Sequence, residues 1–566
     1  MAAGVLKLGN SETFNFQTLI ARAKALAAKP YEKPTGFDPS LLSNITYDAY
    51  MKTVYKPEYA LFKNAGRFPV TFFMVNGLHR MPVKMHVVEN NAAREIIQNI
   101  DYFTTTDKSV RLPALEGNVF SGFRVLASQD ALKTNPQNDW ISFMGASYFR
   151  AIGELGQFGL SARGIALNTV QPGVDEEFPD FTDFWFEAPK DDSKNLTVYA
   201  LLNGPSITGA YKFILHRGKG VVQDVECTLF LRKDIQRFGI APLTSMYWFS
   251  KTVKGAATDW RPEVHDSDGL AMWTGSGEHL WRPLNNPLRV VTSSFHDENP
   301  RGFGLLQKDR NFDSYLDAAH YERRPDLWVE PLGKWGKGSV QLVEIPTDDE
   351  IYDNIVAMWV PDAPAKAGDE HHFHYRLHWL SDEPYPSTLA RCGATRLGRG
   401  GVPGSDRPHD SRKFTVEFHG GNLNHLPSGV APEAVLSASR GTFENVLVSK
   451  LPDDSGNWLA QFDLVAGDGD PVELKLYLKA QENVVSETWC YQYHPFNSPR
   501  SLAGRLRQEV MSSSRPLTQW AFFSRTHPLF LSLLARKCPV LPGRAPSVWR
   551  CLTNFSVSVS PWTEGR

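Results

Sequence analysis

The chain has no apolar run long enough to cross a membrane: its longest, near Leu529–Ala535, falls far short of the roughly 20 residues a spanning helix needs. It has no surplus of charge either. The 60 basic and 62 acidic residues nearly cancel, which argues against nucleic acid and against an anionic membrane as partner. Cysteine is scarce: Cys227, Cys392, Cys490, Cys538 and Cys551 are widely spaced, odd in number and form no C-x-x-C. A complete disulfide framework is therefore excluded, and Cys227 and Cys490, inside strand-like runs, read as buried thiols. The opening MAAGVLKLGNSETFNFQ has neither a twin arginine nor an apolar core, so no export signal is legible in it.

Several chemistries are missing as well. Ser147, in Gly-Ala-Ser-Tyr-Phe, departs from the G-x-S-x-G nucleophile elbow. The glycines at 398–404 lack the strand-to-helix context and the Lys-Ser/Thr pair of a phosphate loop. His372 and His374 would share a strand face, but no carboxylate or Cys follows at ligand spacing, so they read as ordinary strand residues. No metal and no cofactor is expected.

What is present is aromatic and acidic. At 566 residues with 15 Trp, 18 Tyr and 34 Phe, the chain can build a large core and still offer aromatic rings to a ligand. Phe14–Lys29 has helical spacing at Phe16, Leu19, Ile20, Ala23 and Leu26, and Thr46–Val54 is a second helical piece. Thereafter the pattern is one of strands: Val70–Val75, Lys84–Val88, Leu196–Leu202, Lys212–His216 and Val221–Leu231. Val225, Cys227, Leu229 and Leu231 should share one buried face. Many short strands with few helices give an all-β fold.

The polar, Gly-rich stretch Arg391–Arg412 reads as a linker or a long mobile loop, placed at 386–412. Before it, residues 13–385 form the large domain and residues 1–12 a disordered N-terminus. After it, Phe414–Phe418, Asn445–Ser449, Trp458–Val465, Val472–Lys479 and Val484–Tyr493 suggest a small immunoglobulin-like sandwich over 413–494. The tail at 495–566 carries ten Arg and Lys against Glu509 and Glu564, shows no sustained period and is expected to be poorly ordered.

Two carboxylate loops stand out. Asp348, Asp349, Glu350 and Asp353 lie between the apolar runs Ser339–Ile345 and Ile355–Val360, with Trp328, Trp335 and Trp359 close in sequence. Clustered carboxyls repel, so at least one is expected to hold its proton near neutral pH. A protonated acid beside aromatic rings is what a glycosidase needs, because the leaving oxygen must be protonated and sugars stack on aromatics. The same residues also read as a solvated acidic turn. Upstream, Glu263, Asp266 and Asp268 run into Leu270–Trp273, a second carboxylate loop ending in Trp273.

Long motifs then carry a resemblance. NDWISFMGASYFRAIGELGQFGLSARGIALNT (Asn138–Thr169), EEFPDFTDFWFE (Glu176–Glu187), APLTSMYWF (Ala241–Phe249), HDSDGLAMW (His265–Trp273), GFGLLQKDR (Gly302–Arg310) and LWVEPLGKWGKG (Leu327–Gly338) resemble the periplasmic glucan biosynthesis family, proteins G and D, nearer its D branch. The likeness covers roughly residues 14–493. It implies a large β-sandwich of the galactose-mutarotase-like kind with a deep cleft, followed by the smaller immunoglobulin-like one. It also implies a periplasmic protein that processes β-1,2-glucan, as an inverting endo-glucanase or a transglycosylase.

Carried over by motif, Asp353 matches the general acid and Asp266 the general base, the base acting through water and a substrate hydroxyl. Tyr321 matches a cleft tyrosine. Trp328, Trp273, Glu350, Asp268 and Arg324 complete the expected substrate contacts, and Asp268 is the residue most easily mistaken for the base. The implied partners are the glucan and the membrane-bound synthesis machinery, with no insertion into the membrane and a homodimer allowed. A glucan-binding scaffold without turnover is the alternative, since one cleft serves either use.

Overall fold

The computed structural model describes residues 5–495, except 43–44, 111, 113–114, 116, 118, 136–137, 191–193, 254–258, 453–454 and 468. The basic tail lies outside the described residues from position 496 onward.

Strand after strand closes antiparallel on its neighbour, because the chain alternates apolar and polar residues between tight turns. One sixteen-stranded sheet and one ten-stranded sheet hold the main core between them. The core is largely aromatic: Phe123 on the ten-stranded sheet meets Phe184 on the other with ring centroids 4.9 Å apart, and Phe143 meets Phe213 at 5.2 Å.

The long strands Ile207–Arg217 and Val221–Leu231 pair residue for residue, and Val225, Cys227, Leu229 and Leu231 are buried on one face as their alternation predicts. Thr228 and Phe230, on the other face, are buried too. The reason is the helix Phe16–Ala27, capped by the Asn15 side chain on the backbone N–H of Thr18. It lays Leu19 and Ala23 against Trp185, Leu201, Ala210 and Phe230. The second helical piece is shorter than expected, Tyr47–Met51 with Thr46 as its cap, and the chain turns into the strand Thr53–Tyr55.

Two boundary readings are corrected. The N-terminus expected to be disordered over 1–12 carries the strand Leu8–Thr13, paired with Ala92–Ile96. The supposed linker at 386–412 contains the strand Arg391–Arg399, paired with Ser411–His419 in a four-stranded sheet. Its register shifts between Cys392 and Thr395. That bulge breaks the period of two on which strand recognition depends, and leaves Cys392 and Thr395 buried in a stretch that looks polar throughout.

The second sandwich is not self-contained. Its core, with Phe414, Phe462, Leu474 and Trp489, also takes in Trp281, Leu306 and Trp328 from earlier in the chain. The strand Thr488–Tyr493 runs parallel to His279–Pro283, joining both sandwiches through the sixteen-stranded sheet. At that joint Arg282 and Glu344 form a buried pair at 3.0 Å, and Glu344 also accepts the backbone N–H of Asn285 at 2.6 Å. Asn285 in turn donates to the carbonyl of Gln492 and accepts from the Tyr491 hydroxyl.

Candidate active site

The strands Lys337–Glu344 and Ile355–Pro361 form the antiparallel pair their sequence predicts, with the acidic loop between them. The Asn354 side chain anchors that loop. It donates to the carbonyls of Tyr247 and Ile345, each at 2.9 Å, and accepts the Tyr247 N–H at 2.8 Å. The other carboxylate loop is tied to the same place: the N–H of Asp266 donates to the carbonyl of Met246 at 2.8 Å, and Tyr247 pairs with His265 across a short ladder. Two loops nearly ninety residues apart in sequence therefore hang on the consecutive residues Met246 and Tyr247.

Asp353 lines a cleft of about 1300 Å³ together with Tyr148, Glu176 and Phe178. Its carboxyl is pushed up to about 6, and the cause is burial. The charges that act on it are Arg163, Arg150 and Arg324, which pull the other way. This corrects the expectation that crowding by Asp348, Asp349 and Glu350 would hold the proton. Glu350 is engaged elsewhere: its Oε2 accepts from the Tyr321 hydroxyl and from Arg261 Nη1, both at 2.7 Å.

Asp266 is 1% exposed and forms an ion pair with the guanidinium of Arg324. Arg324 is itself buried, lies 4.0 Å from the centre of the Tyr321 ring, and is pulled by burial down to about 10. It thus connects the two carboxylates, paired with one and acting on the field of the other. Arg310 holds it in place by donating to the carbonyls of Glu322 and Arg324 at 3.0 and 2.8 Å. The Gln307 amide holds the same region by donating to the carbonyls of His265 and Tyr321 at 3.0 and 3.1 Å.

Of the residues expected from sequence, Asp266, Arg324, Tyr321 and Glu350 form one network of contacts, and Asp353 lies within the electrostatic reach of its Arg324. The other three do not join it. Asp268 accepts the backbone N–H groups of Lys308 and Asp309 at 3.0 and 2.9 Å and faces a separate cavity of about 750 Å³, so it is a backbone clamp. Trp328 is 3% exposed and packs so closely on Gly302 that a Cβ there would lie 2.4 Å from the indole. It is a core residue. Trp273 is half-buried, stacked on His279 with centroids 5.2 Å apart, and lies under Arg301 rather than in the cleft of Asp353.

Sequence reasoning overlooked two of the three arginines. Arg163 is 2% exposed, bonded to Glu176 at 3.1 Å, and sits 4.8 Å from the centre of the Tyr148 ring. Arg150 is buried against Phe158. A signal was available: both stand in short buried strands with no other charged residue, Ser161–Arg163 and Tyr148–Ala151, where a charge is costly without a partner. Among the described residues no group of three or more His, Cys, Asp or Glu is arranged to hold a metal ion, and no helix is long and apolar enough to cross a membrane.

A buried carboxyl raised to about 6 inside a cleft can donate a proton to a ligand held there. Comparison with known proteins agrees on the biological setting. A family model described as periplasmic glucan biosynthesis protein, MdoG, matches residues 14–493. The chain is 58% identical over 505 residues to glucans biosynthesis protein D 2 of Ralstonia nicotianae, covering 88% of this chain and 94% of that one. It is 44% identical over 499 residues to glucans biosynthesis protein D of Stenotrophomonas maltophilia, covering 87% and 92%. The likeness to the protein of the same name from Xanthomonas campestris pv. campestris is 44% over 503 residues, covering 87% and 93%.

Proposed function

The chain belongs to the periplasmic glucan biosynthesis family, and from that premise we propose that it is a glycoside hydrolase that cuts the β-1,2-glucan backbone with inversion, Asp353 serving as general acid and Asp266 as general base. The observation that carries this reading is the Asp353 carboxyl, buried, raised to about 6 and lining a cleft large enough for several sugar rings. Asp353 delivers its proton to the glycosidic oxygen as the C–O bond breaks. A water attacks the anomeric carbon from the opposite face, and its proton passes to Asp266. Because Asp266 is nearly closed off, that proton travels through an intervening water or sugar hydroxyl. Tyr321 and Glu350 orient the Arg324 side of the site, and the three arginines steady the carboxylate left on Asp353 after proton transfer.

Transfer to a sugar hydroxyl instead of water uses the same two residues. The periplasm is the proposed compartment, the glucan and the membrane synthesis machinery the proposed partners, and a homodimer an allowed assembly. A second reading, a glucan-binding scaffold without turnover, is favoured by one feature: Asp266 is neutralised by Arg324 and almost inaccessible.

Linear β-1,2-glucan incubated with the purified protein and with its Asp353→Asn variant, followed by chromatography, separates the readings. Shortened or rearranged glucan from the wild type alone supports catalysis, and the product pattern tells hydrolysis from transfer. Unchanged polymer that nevertheless binds would overturn both catalytic roles in favour of the scaffold.

A further inference from the structure

Among the described residues most tryptophans are buried, but Trp260 is 68% exposed. A single exposed apolar side chain is ordinary. Two observations make this one different. Its two neighbours are tied to each other: Asp259 accepts the N–H of Arg261 at 2.9 Å and binds its guanidinium at 2.7 and 3.0 Å. Arg261 continues inward to Asp317 and Glu350, each at 2.7 Å. Trp260 is also the outer end of a stack of alternating rings and cations. The Arg324 guanidinium, paired with Asp266, lies 4.0 Å from the Tyr321 ring centre, and Arg261 lies 6.0 Å from that ring and 5.7 Å from the Trp260 ring.

We infer that Trp260 is a sugar-stacking platform at the rim of the candidate active site, taking the apolar C–H face of a glucosyl ring in a glucan chain that extends out from the reacting bond. A β-glucopyranose ring carries its hydroxyls around the edge and its axial C–H groups on the faces, so a flat indole matches a face while the hydroxyls stay hydrated. The tie between Asp259 and Arg261 across Trp260 reduces the freedom lost when the ring lands. The inference rests on the reading that this site takes glucan.

The test measures linear β-1,2-glucan binding by calorimetry in the Asp353→Asn background, with Trp260 intact or replaced by Ala or Phe. Kinetics are run in parallel on the active chain. Trp260→Ala should weaken long-chain binding about 3- to 10-fold, as loss of an aromatic contact does, and Trp260→Phe should retain most of it. KM should rise by a similar factor, more than kcat falls, while the β-1,2-linked disaccharide, too short to span bond and platform, should bind equally to both. Because the side chain is exposed, the melting temperature should hold, so a folding defect would be visible. Unchanged long-chain affinity and KM in Trp260→Ala, with a wild type that binds and cleaves, would overturn the platform alone. A wild type that binds without cleaving would overturn the catalytic reading, and the Trp260→Ala affinity would still decide the platform. A wild type that binds no β-1,2-glucan would overturn both.

Discussion

Asp266 and Asp268 stand two residues apart in one motif, and the protein uses them in opposite ways. Asp266 turns toward Arg324, and through it reaches the field around Asp353. Asp268 turns away, spends both oxygens on the backbone of Lys308 and Asp309, and borders the smaller cavity. Asp266 is buried and Asp268 half-buried, and both are carboxylates, so exposure alone does not separate a chemical group from a structural one. What distinguishes them is the partner. A carboxylate saturated by backbone N–H groups is fixed and occupied, whereas one paired with a guanidinium side chain can change partner during a reaction.

The largest test of that contrast is catalytic. Asp353→Asn and Asp266→Asn should each lower turnover of β-1,2-glucan by about 10²–10⁴-fold. Asp268→Asn should leave the folded molecules far more active than either. Comparable losses at all three positions, read as activity per folded molecule, would remove the distinction.

Stability should show the reverse order. Burial has raised the Asp353 carboxyl to about 6, above its unfolded value, so the native state prefers the protonated form. Its contribution is fully present below about pH 4 and is lost as pH rises through about 6. Asn mimics the protonated acid, so Asp353→Asn should be more stable than wild type at pH 8, by at most about 3 kcal/mol, and nearly equal to it at pH 4. Thermal melts at the two pH values check this, and a gap that does not widen with pH would contradict it. Asp268→Ala, by contrast, strips a charged acceptor from two backbone N–H groups and should cost about 2 kcal/mol, seen as a lower melting temperature.

A smaller effect is expected at the Tyr321–Glu350 contact. Tyr321→Phe removes one hydrogen bond to a charged acceptor, worth about 1.5–3 kcal/mol at most, and should lower kcat by about ten-fold without a change in stability of similar size. A drop in melting temperature with kcat preserved would make Tyr321 a packing residue. In the pH profile, the alkaline limb of kcat/KM should fall near pH 6, where free Asp353 loses its proton, and should be absent from the residual activity of Asp353→Asn.

How much of this was legible differs from residue to residue. The bounds of Val221–Leu231 and its face of Val225, Cys227, Leu229 and Leu231 were readable because local alternation needs no knowledge of the neighbours, whereas the burial of Thr228 and Phe230 came from the helix packed behind them. Arg391–Arg399 was not, because its bulge and sparse apolar set hide the buried face of Cys392 and Thr395. Trp328 and Trp273 looked like sugar platforms because Trp near carboxylates is the pattern of a sugar site. Whether an indole meets a ligand or a glycine backbone depends on what packs over it, and for Trp328 that is Gly302, on a different strand.

By itself the sequence determined the all-β class, the acidic hairpin and the family, since these depend on local alternation, turn residues and long contiguous motifs. The tertiary structure alone decided that the loops of Asp266 and Asp353 converge on Met246 and Tyr247, and that arginines distant in sequence act on the acid. It also decided that burial rather than neighbouring carboxylates holds the proton on Asp353. Each of these depends on which groups lie within a few ångströms across the fold, and on how little water remains between them, quantities that spacing along a chain does not contain.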